Sequence, residues 1–291
     1  QRAELLNKGE HPHVLVMSAT PIPRSLAMTL YADLDVSIIK GLPLGRKPIE
    51  TAIRSDKKRD EVFHFVGQEI SEGGQVYVIY PLVEESETLD LKDATAGFEK
   101  IKARFPEFNV GLIHGRMSSD EKESTMNAFK KNEIQILVST TVIEVGVDIP
   151  NASIMIIEHA ERFGLSQLHQ LRGRIGRGYR QSYCILIPDV KVSKAGAYRL
   201  KTMEETNDGF RIAEADLKLR GPGDFLGTKQ SGLPDFKTAD IVEDQLILQQ
   251  AKSFAQQIIN VDFELLSPSY VHLKIVFDSY FQEKQHFYGL G

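Results

Sequence analysis

Residues 166–178 read Ser-Gln-Leu-His-Gln-Leu-Arg-Gly-Arg-Ile-Gly-Arg-Gly, between two apolar runs of the kind that form buried strands. On a helix, Gln170, Arg174 and Arg177 fall at positions i, i+4 and i+7, so the sequence predicts that their side chains share one face. Two guanidinium groups beside an amide would form a clamp for a polyphosphate. The apolar residues of the stretch fall on other sides of the helix and are expected to pack inward: Leu168, Leu171 and Ile175.

The glycines of this stretch predict where the helix ends. Gly173 removes a side chain from the helix surface, so another backbone or a ligand can approach closely. Gly176 and Gly178 are expected to end the helix. The alternative is a solvated basic helix or the Arg-Gly run of a disordered tail, but the strand patterns on both sides favour an ordered clamp.

The overall charge of the chain gives no sign of nucleic-acid binding. Its 291 residues, enough for about two domains, carry 35 Lys+Arg against 40 Asp+Glu, a formal net charge of −5. Contact with nucleic acid would therefore depend on a local basic patch. One part of the chain permits such a patch because arginines are concentrated there: Arg172, Arg174, Arg177, Arg180, Arg199, Arg211 and Arg220.

A single cysteine, Cys184, limits the covalent and metal chemistry open to the chain. One cysteine excludes an internal disulfide and a cysteine metal cluster, and it fits a reducing cytosol. The sequence contains no signal peptide and no apolar run long enough to span a membrane, so we expect a cytoplasmic protein with no membrane partner. Because the first residue is Gln1 rather than methionine, we expect the chain to be a fragment of a longer protein.

Apolar runs and helical patterns alternate between residues 56 and 190. Such alternation predicts an α/β domain with a mostly parallel sheet that is covered by helices on both faces. Ser118 and Glu121 form a capping box and predict that one of the helices begins there. The predicted strands are 76–80, 110–113, 134–138, 154–157 and 183–187.

The segments on either side of this domain have a different character. Glycines and prolines mark residues 41–55 as a linker. Residues 191–291 read as a helical appendage in which the alternation stops. Its predicted elements are an αα-hairpin with helices at 197–205 and 210–219, a loop at 220–232 that is too rich in glycine for a helix, and terminal helices at 241–259 and 270–285.

The chain lacks the usual phosphate-binding motifs. No G-x-x-x-x-G-K-[ST] sequence occurs in it. Asp60-Glu61 is not a Walker B pair, because Lys57-Lys-Arg59 precedes it instead of an apolar strand. Gly221-Pro-Gly223 is not a dinucleotide fingerprint, since no strand leads into it. The clamp for a polyphosphate therefore needs a second domain to hold the nucleotide.

Four stretches together resemble a known family. Residues 170–177 resemble the arginine-finger motif Q-x-x-G-R-x-G-R of superfamily 2 helicases, and three further stretches narrow this to the bacterial RecG DNA helicases. Residues 18–35, which begin Ser-Ala-Thr, are similar to motif III in its RecG form. Residues 139–150 are similar to motif V. Residues 207–232 resemble the TRG (translocation in RecG) motif, which only RecG and the transcription-repair coupling factor share, and Pro222 favours RecG.

The resemblance implies a division of the chain. Residues 1–40 would be a remnant of the first RecA-like helicase domain. Residues 56–190 would be the second RecA-like domain, and residues 191–291 would contain the TRG hairpin, its loop and the C-terminal helices. ATP with Mg²⁺ would bind between the two RecA-like domains, and the missing first domain would supply the phosphate and metal ligands. No metal site is expected within this chain.

The resemblance also implies roles for individual residues. Gln170, Arg174 and Arg177 would act on the γ-phosphate. Nucleotide would further contact Gly146 and Asp148; for Asp148, whose carboxylate could accept from a ribose hydroxyl, the alternative is a turn-forming residue before Pro150. Residues implied to couple nucleotide state to movement are Ser18, Thr20, Arg199 and Arg220, the last two by bracing the hairpin against the predicted helix that carries Gln170, Arg174 and Arg177 (the clamp helix). Residues implied to contact DNA are Arg116, Thr140, Thr141 and Gln230.

The function implied is the C-terminal part of an ATP-dependent DNA helicase. The full-length protein would remodel stalled forks and branched DNA in recombination and repair, as a monomer with an N-terminal wedge domain, and the fragment alone would not hydrolyse ATP. One rival is the transcription-repair coupling factor, which needs an upstream RNA-polymerase-binding domain. Others are an RNA helicase, in which the TRG stretch is unexpected, and a non-catalytic DNA-binding adaptor, which has no reason to keep both Arg174 and Arg177.

Overall fold

The computed structural model describes residues 45–81, 87–140, 148–225 and 244–284, together with isolated positions at 15, 17, 37, 39, 41 and 43. Several predictions on single residues lie outside this part of the chain. They concern Ser18, Thr20, Thr141, Gly146 and Gln230. The side chain of Arg220 is also outside it, and so is nearly all of the segment 1–40 that was interpreted as a domain remnant.

The described residues form a six-stranded parallel sheet with the order β1-β6-β5-β2-β4-β3. Its strands are β1 Glu50–Ile53, β2 Gln75–Tyr80, β3 Val110–Ile113, β4 Ile136–Thr140, β5 Ala152–Glu158 and β6 Tyr183–Ile187. The parallel sheet predicted from the alternating pattern is therefore confirmed. Strand β1 was not predicted, because it lies within the segment 41–55 that was interpreted as a linker. It is a half-exposed edge strand and lacks the apolar run of a buried one.

Eight helices are described in addition to short 3₁₀ turns at Asp56–Lys58 and Ala160–Arg162. They are α1 Arg59–Ser71, α2 Glu87–Arg104, α3 Ser119–Lys130, α4 Leu165–Arg172, α5 Lys194–Glu205, α6 Gly209–Phe225, α7 Gln245–Val261 and α8 Val271–Lys284. The predicted capping box is confirmed, since Ser118 Oγ accepts from Glu121 N and the Glu121 carboxylate accepts from Ser118 N. None of the described helices is both long and apolar enough to cross a membrane.

The helix α6 runs further than the sequence predicted. It continues to Phe225 and so includes the first part of the loop that was expected to be too rich in glycine for a helix. Glycine and proline lower helix propensity, but tertiary packing overrides such local preferences. The earlier turns of α6 are held by buried side chains, among them Ile212 and Leu217, which are 2% and 0% exposed.

Alternate residues of each strand face two separate cores, one on each side of the sheet. On one side, α1 and α2 cover the sheet through Val62, Val66, Ile70, Ala94 and Ile101. On the other side, the cover comes from α3, α4 and the hairpin of α5 and α6. Their core residues include Phe129, Leu165, Leu168, Leu200, Met203, Ile212 and Ala215. The helices cover both faces as predicted, and the hairpin shares its core with the sheet.

The single thiol provides a test of this packing. Cys184 on β6 is fully buried, and burial raises the pKa of its thiol to about 12. At pH 8 the reactive thiolate is then roughly one part in 10⁴ of the folded population. We expect no labelling by a thiol reagent in the native protein and labelling of Cys184 once guanidinium chloride unfolds it. Rapid native labelling of Cys184 would contradict the described position of β6.

Candidate nucleotide and DNA site

The helix α4 places the arginine-containing stretch. Its apolar face is buried, with Leu165 and Leu168 both 0% exposed. The helix ends at Arg172, where Gly173 N donates to His169 O at 3.0 Å. Two further hydrogen bonds of the i→i+3 type then tighten the chain, from Arg174 N to Leu171 O and from Ile175 N to Arg172 O.

The prediction that Gln170, Arg174 and Arg177 share one face of a continuous helix is therefore wrong. Gln170 is an exposed residue of α4, whereas Arg174 and Arg177 belong to the loop that follows it. The predicted helix end at Gly176 and Gly178 is also wrong, because the helix stops earlier. Gly176 has a φ of +74° and reverses the chain, and a side chain there would press on Ile49.

Arg177, which lies in this loop, forms an ion pair with Asp148, which lies just before β5. Arg177 Nη1 lies 3.5 Å from Asp148 Oδ1, and the two side chains are 25% and 62% exposed. An ion pair this exposed contributes at most about 1 kcal/mol. Both groups can therefore exchange their partner for a ligand at little cost. The guanidinium and the carboxylate assigned to nucleotide by the resemblance are thus brought together, without a competing buried salt bridge on Arg177 in the described part of the chain.

A tyrosine beneath the loop was not found from the sequence. Tyr77 on β2 is 2% exposed and packs on Phe129 with ring centroids 4.9 Å apart. Burial raises the pKa of the Tyr77 hydroxyl to about 12, although the positive charges of Arg177 and Arg174 oppose the rise. The negative charge of the Asp148 carboxylate adds to the rise in the pKa of the same hydroxyl. The charges of both arginines and of Asp148 therefore all influence the pKa of this one hydroxyl. In the sequence, Tyr77 belongs to a predicted buried strand, and nothing in that pattern indicates a role at the site.

This charged group lies at the amino-terminal edge of the sheet. Asp148 comes just before β5, and the arginine loop leads into β6. Arg180 Nη1 donates to Glu72 O at 2.6 Å, close to the start of β2. Ligands of parallel sheets usually bind at the carboxyl ends of the strands. Here the arginines and Asp148 are at the opposite edge, so a ligand of these residues would not occupy the usual crevice of this sheet.

Two residues assigned to DNA lie at the carboxyl edge. Arg116 follows β3 and is exposed, and Thr140 ends the neighbouring strand β4. Thr140 is 1% exposed, and in the described part of the chain its hydroxyl has no hydrogen-bond partner. The candidate DNA residues and the candidate nucleotide residues are therefore separated by the length of the strands.

The candidate coupling residue Arg199 makes a different contact from the one expected. Its Nη2 donates to Glu161 O at 2.8 Å. Glu161 belongs to the 3₁₀ turn that precedes α4. Arg199 therefore braces α5 against the segment before α4 and not against α4 itself. Arg199 and Glu161 are 38 residues apart in the chain, so no local sequence pattern predicts their contact. Arg220 lies in α6, with its side chain outside the described part.

One group of potential metal ligands is present near that turn. His159, Glu161 and Asp189 each offer an atom within 4.8 Å of the others. Glu161 Oε2 already accepts from Asp189 N at 3.1 Å, and its Oε1 lies 3.7 Å from Arg162 Nε. Asp189 Oδ1 accepts from Val190 N at 2.6 Å, so both carboxylates are engaged by protein donors, and that of Glu161 is partly balanced by positive charge.

Arg172 is the functional candidate that the sequence did not distinguish from other basic residues. It is 2% exposed, and burial lowers the pKa of its guanidinium. Its Nη1 donates to Met203 O and Thr206 O, both at 2.9 Å. Its Nη2 lies 3.2 Å from His169 Nδ1. Burial and the charge of Arg172 lower the pKa of His169 to about 4, so this imidazole is neutral at physiological pH and can accept from Arg172.

Comparison with known proteins identifies the two parts of the chain. The family model of the helicase conserved C-terminal domain matches residues 57–179. The model of the C-terminal part of domain 3 of ATP-dependent DNA helicase RecG matches residues 206–280. A solved structure of RecG bound to a three-way DNA junction matches with a TM-score of 0.64 and 46% identity, covering 84% of this chain and 31% of that one. This likeness confirms the RecA-like fold.

Individual relatives agree with the family models. RecG of Synechocystis sp. is 54% identical over 277 residues, 95% of this chain and 33% of the relative. RecG of Bacillus subtilis is 51% identical over 275 residues, 94% of this chain and 40% of the relative. The chain thus spans between a third and two fifths of the length of these relatives. By these matches, the chain belongs to the RecG family of ATP-dependent DNA helicases.

Proposed function

We propose that the protein containing this chain is an ATP-dependent DNA helicase that acts on branched or forked DNA, and that this chain is one half of its motor. The observation that carries the proposal is the pair of Arg177 and Asp148, 3.5 Å apart at an open edge of the sheet. Its relatives are named ATP-dependent DNA helicases, and one was solved with a three-way DNA junction. Since the chain spans only part of their length, the whole activity is a proposal for this protein.

The charged edge fits a nucleotide held by another domain. Arg174 and Arg177 would stabilise the charge that develops on the γ-phosphoryl group, a contribution worth about 10³–10⁵ in rate. This corresponds to about 4–7 kcal/mol of barrier. Gln170 would orient the same phosphate from α4. Asp148 would exchange Arg177 for a ribose hydroxyl, with Gly146 close to the nucleotide.

The donor set at this edge fits phosphate better than Mg²⁺. The carboxylate that the described residues place beside Arg177 is that of Asp148, which is already paired with a cation. We therefore assign the phosphate cradle and the metal ligands to a first RecA-like domain elsewhere in the full-length protein. When bound there, Mg²⁺ would neutralise charge on the phosphate oxygens. This chain would supply guanidinium groups and the ribose contact.

DNA would bind at the opposite edge. Arg116 would contact a phosphate, and Thr140 and Thr141 would do so after the end of β4 has moved, since the Thr140 hydroxyl is buried in this structure. Gln230 would lie near duplex DNA. Helix α6 has 17 residues and therefore spans about 25 Å, which is enough to connect the two edges.

The setting proposed is fork and junction remodelling in DNA recombination and repair. The protein would act in the bacterial cytoplasm as a monomer, with its N-terminal wedge and first RecA-like domain on the same polypeptide. Ser18 and Thr20 would relay nucleotide state between the two RecA-like domains. The RecG match over residues 206–280 favours this function over the RNA helicase and coupling-factor alternatives.

Replacing Arg177 tests the role of the arginine loop. In the full-length protein, Arg177→Ala should lower the DNA-stimulated ATPase rate by about 10³–10⁵, because the charge on the γ-phosphoryl group loses its stabilisation. Affinity for a synthetic three-way junction should change less than about threefold, since the DNA edge is separate. Steady-state hydrolysis and a fluorescence binding titration measure the two quantities.

Arg180→Ala is the matched control, because Arg180 lies three residues further on and contacts Glu72 and Glu69 rather than Asp148. It should retain the wild-type rate. If the Arg177→Ala protein hydrolyses ATP at the wild-type rate, Arg177 does not stabilise the γ-phosphoryl group. A wild-type protein that binds the junction but shows no DNA-stimulated ATPase is the adaptor instead.

Gly178→Ala tests the placement of the loop without removing a charge. A Cβ at Gly178 would lie 2.4 Å from Pro150 O, so the loop and the segment carrying Asp148 must move apart. We expect the ATPase rate to fall on the order of 10²-fold, the usual cost of misplacing a catalytic group by about 1 Å. Gly67→Ala is the control, because its Cβ meets Phe105 at an ordinary 3.6 Å. Equal rates for the two variants would contradict the described packing.

A further inference from the structure

The turn between α5 and α6 is attached to the edge strand β1. Within the described sheet, β1 pairs with β6 alone, so the main-chain groups on its outer side need other partners. Asn207 Nδ2 donates to Ile49 O at 3.0 Å, and Ile53 N donates to Glu204 Oε1 at 3.0 Å. The hairpin thus covers the open edge of a strand that lies within the predicted linker.

Arg172 joins the same turn from the other side. Its guanidinium reaches the carbonyls of Met203 and Thr206 at the C-terminal end of α5, where the helix dipole concentrates negative partial charge. It also donates to Thr51 Oγ1 of β1 at 3.2 Å. In the described part of the chain no carboxylate forms an ion pair with it. One buried cation is therefore held by main-chain and hydroxyl oxygens of two different elements.

These hydrogen bonds are not needed to hold the arginine loop. Leu165 and Leu168 of α4 are 0% exposed and Ile175 is 2% exposed, so apolar packing fixes the helix and the loop. The hairpin turn meets β1 through polar contacts, in addition to the core that Leu200 and Met203 share and against which Ile49 and Ile53 pack. Loss of the polar contacts would therefore loosen the turn from β1, while the hairpin core and the arginine loop stay packed.

We propose that Arg172, Glu204 and Asn207 form a joint that makes the hairpin follow the linker strand β1, and that this joint sets how much DNA is unwound per ATP hydrolysed. Arg172 is then a positioning residue, and it acts at the turn, whereas Arg199 acts in the middle of α5. The inference rests on the proposed helicase function. A shift of the first domain would pull on the linker, and the joint would carry that shift to α6 and the DNA edge.

The charge of Arg172 alone would not serve this purpose. The guanidinium uses both of its terminal nitrogens: Nη1 lies within hydrogen-bond distance of Thr51 Oγ1 and of the carbonyl oxygens of Met203 and Thr206, and Nη2 lies 3.2 Å from His169 Nδ1. A lysine ammonium has one nitrogen on a flexible stem. Arg172→Lys therefore keeps a cation, but it loses the His169 contact and the planar group that holds Nη1 between the turn and β1.

The test compares unwinding and hydrolysis in one reaction of the full-length protein with a synthetic three-way DNA junction. The variants are Arg172→Lys and the double variant Glu204→Ala/Asn207→Ala. For both we expect a DNA-stimulated ATPase rate close to wild type and about tenfold less DNA unwound per ATP, since one hydrogen bond to a charged group shifts an equilibrium by roughly that factor. Arg180→Lys is the matched control, because it donates to a main-chain carbonyl away from the hairpin.

Glu204 and Asn207 are exposed, so we expect the double variant to fold. It therefore tests the joint even if Arg172→Lys melts at a lower temperature or fails to fold. The proposal is overturned if the double variant keeps the wild-type ratio of unwinding to hydrolysis. It is also overturned if hydrolysis and unwinding fall in proportion, which is what a merely structural role predicts. A wild-type protein without DNA-stimulated ATPase would instead remove the proposed function itself.

Discussion

The burial of one face of α4, together with Ile175 just after it, is the interaction on which the site depends. Leu165, Leu168, Leu171 and Ile175 are between 0% and 7% exposed, and burying each such side chain stabilises the fold by about 1.5–3 kcal/mol. The ion pair of Arg177 with Asp148 contributes at most about 1 kcal/mol. Apolar packing therefore places the arginine loop, and the guanidinium group remains available to a ligand.

The same packing makes the hairpin part of the sheet domain. Leu200, Met203 and Ile212 lie in one core with the α4 residues and with strand residues such as Met155. Ser166 Oγ also lies 3.4 Å from Asp216 Oδ2, between α4 and α6. A hairpin embedded in this way moves with the sheet. In the proposed motor it is thus suited to carry displacement from the nucleotide edge to the DNA edge.

The opposite edge of the sheet has its own fixed point. Arg59 forms a bidentate contact with Glu158, with Nη2 to Oε2 at 3.0 Å, and Glu158 is 3% exposed at the end of β5. Arg59 also donates to Asp56 at 2.7 Å. A buried carboxylate held by two hydrogen bonds ties the start of α1 to the carboxyl edge. The first helix after β1 is therefore fixed at the carboxyl edge, while the hairpin joint holds β1 along its length, from Ile49 to Ile53.

Several parts of this arrangement were predictable because they depend on residues close together in the chain. Alternating apolar runs indicated the parallel sheet, and Ser118 with Glu121 indicated the start of α3. The inward packing of Leu168, Leu171 and Ile175 also followed from helical spacing. The end of α4 did not, because a periodic pattern continues through Gly176 although the backbone there turns to let Ile49 pack.

By itself, the sequence determined that this is an α/β protein with paired arginines beside inward-facing Leu168, Leu171 and Ile175, one isolated thiol and no phosphate loop in this part. That the arginines follow the helix, rather than lie on it, was not predicted. Only the tertiary structure decided where those arginines lie relative to Asp148, Tyr77 and the hairpin. Arg172 and Thr51 are 121 residues apart in the chain and meet because β1 joins the sheet beside β6. Local patterns record which residues are apolar or charged, whereas the order in which the strands assemble decides which distant groups share an edge.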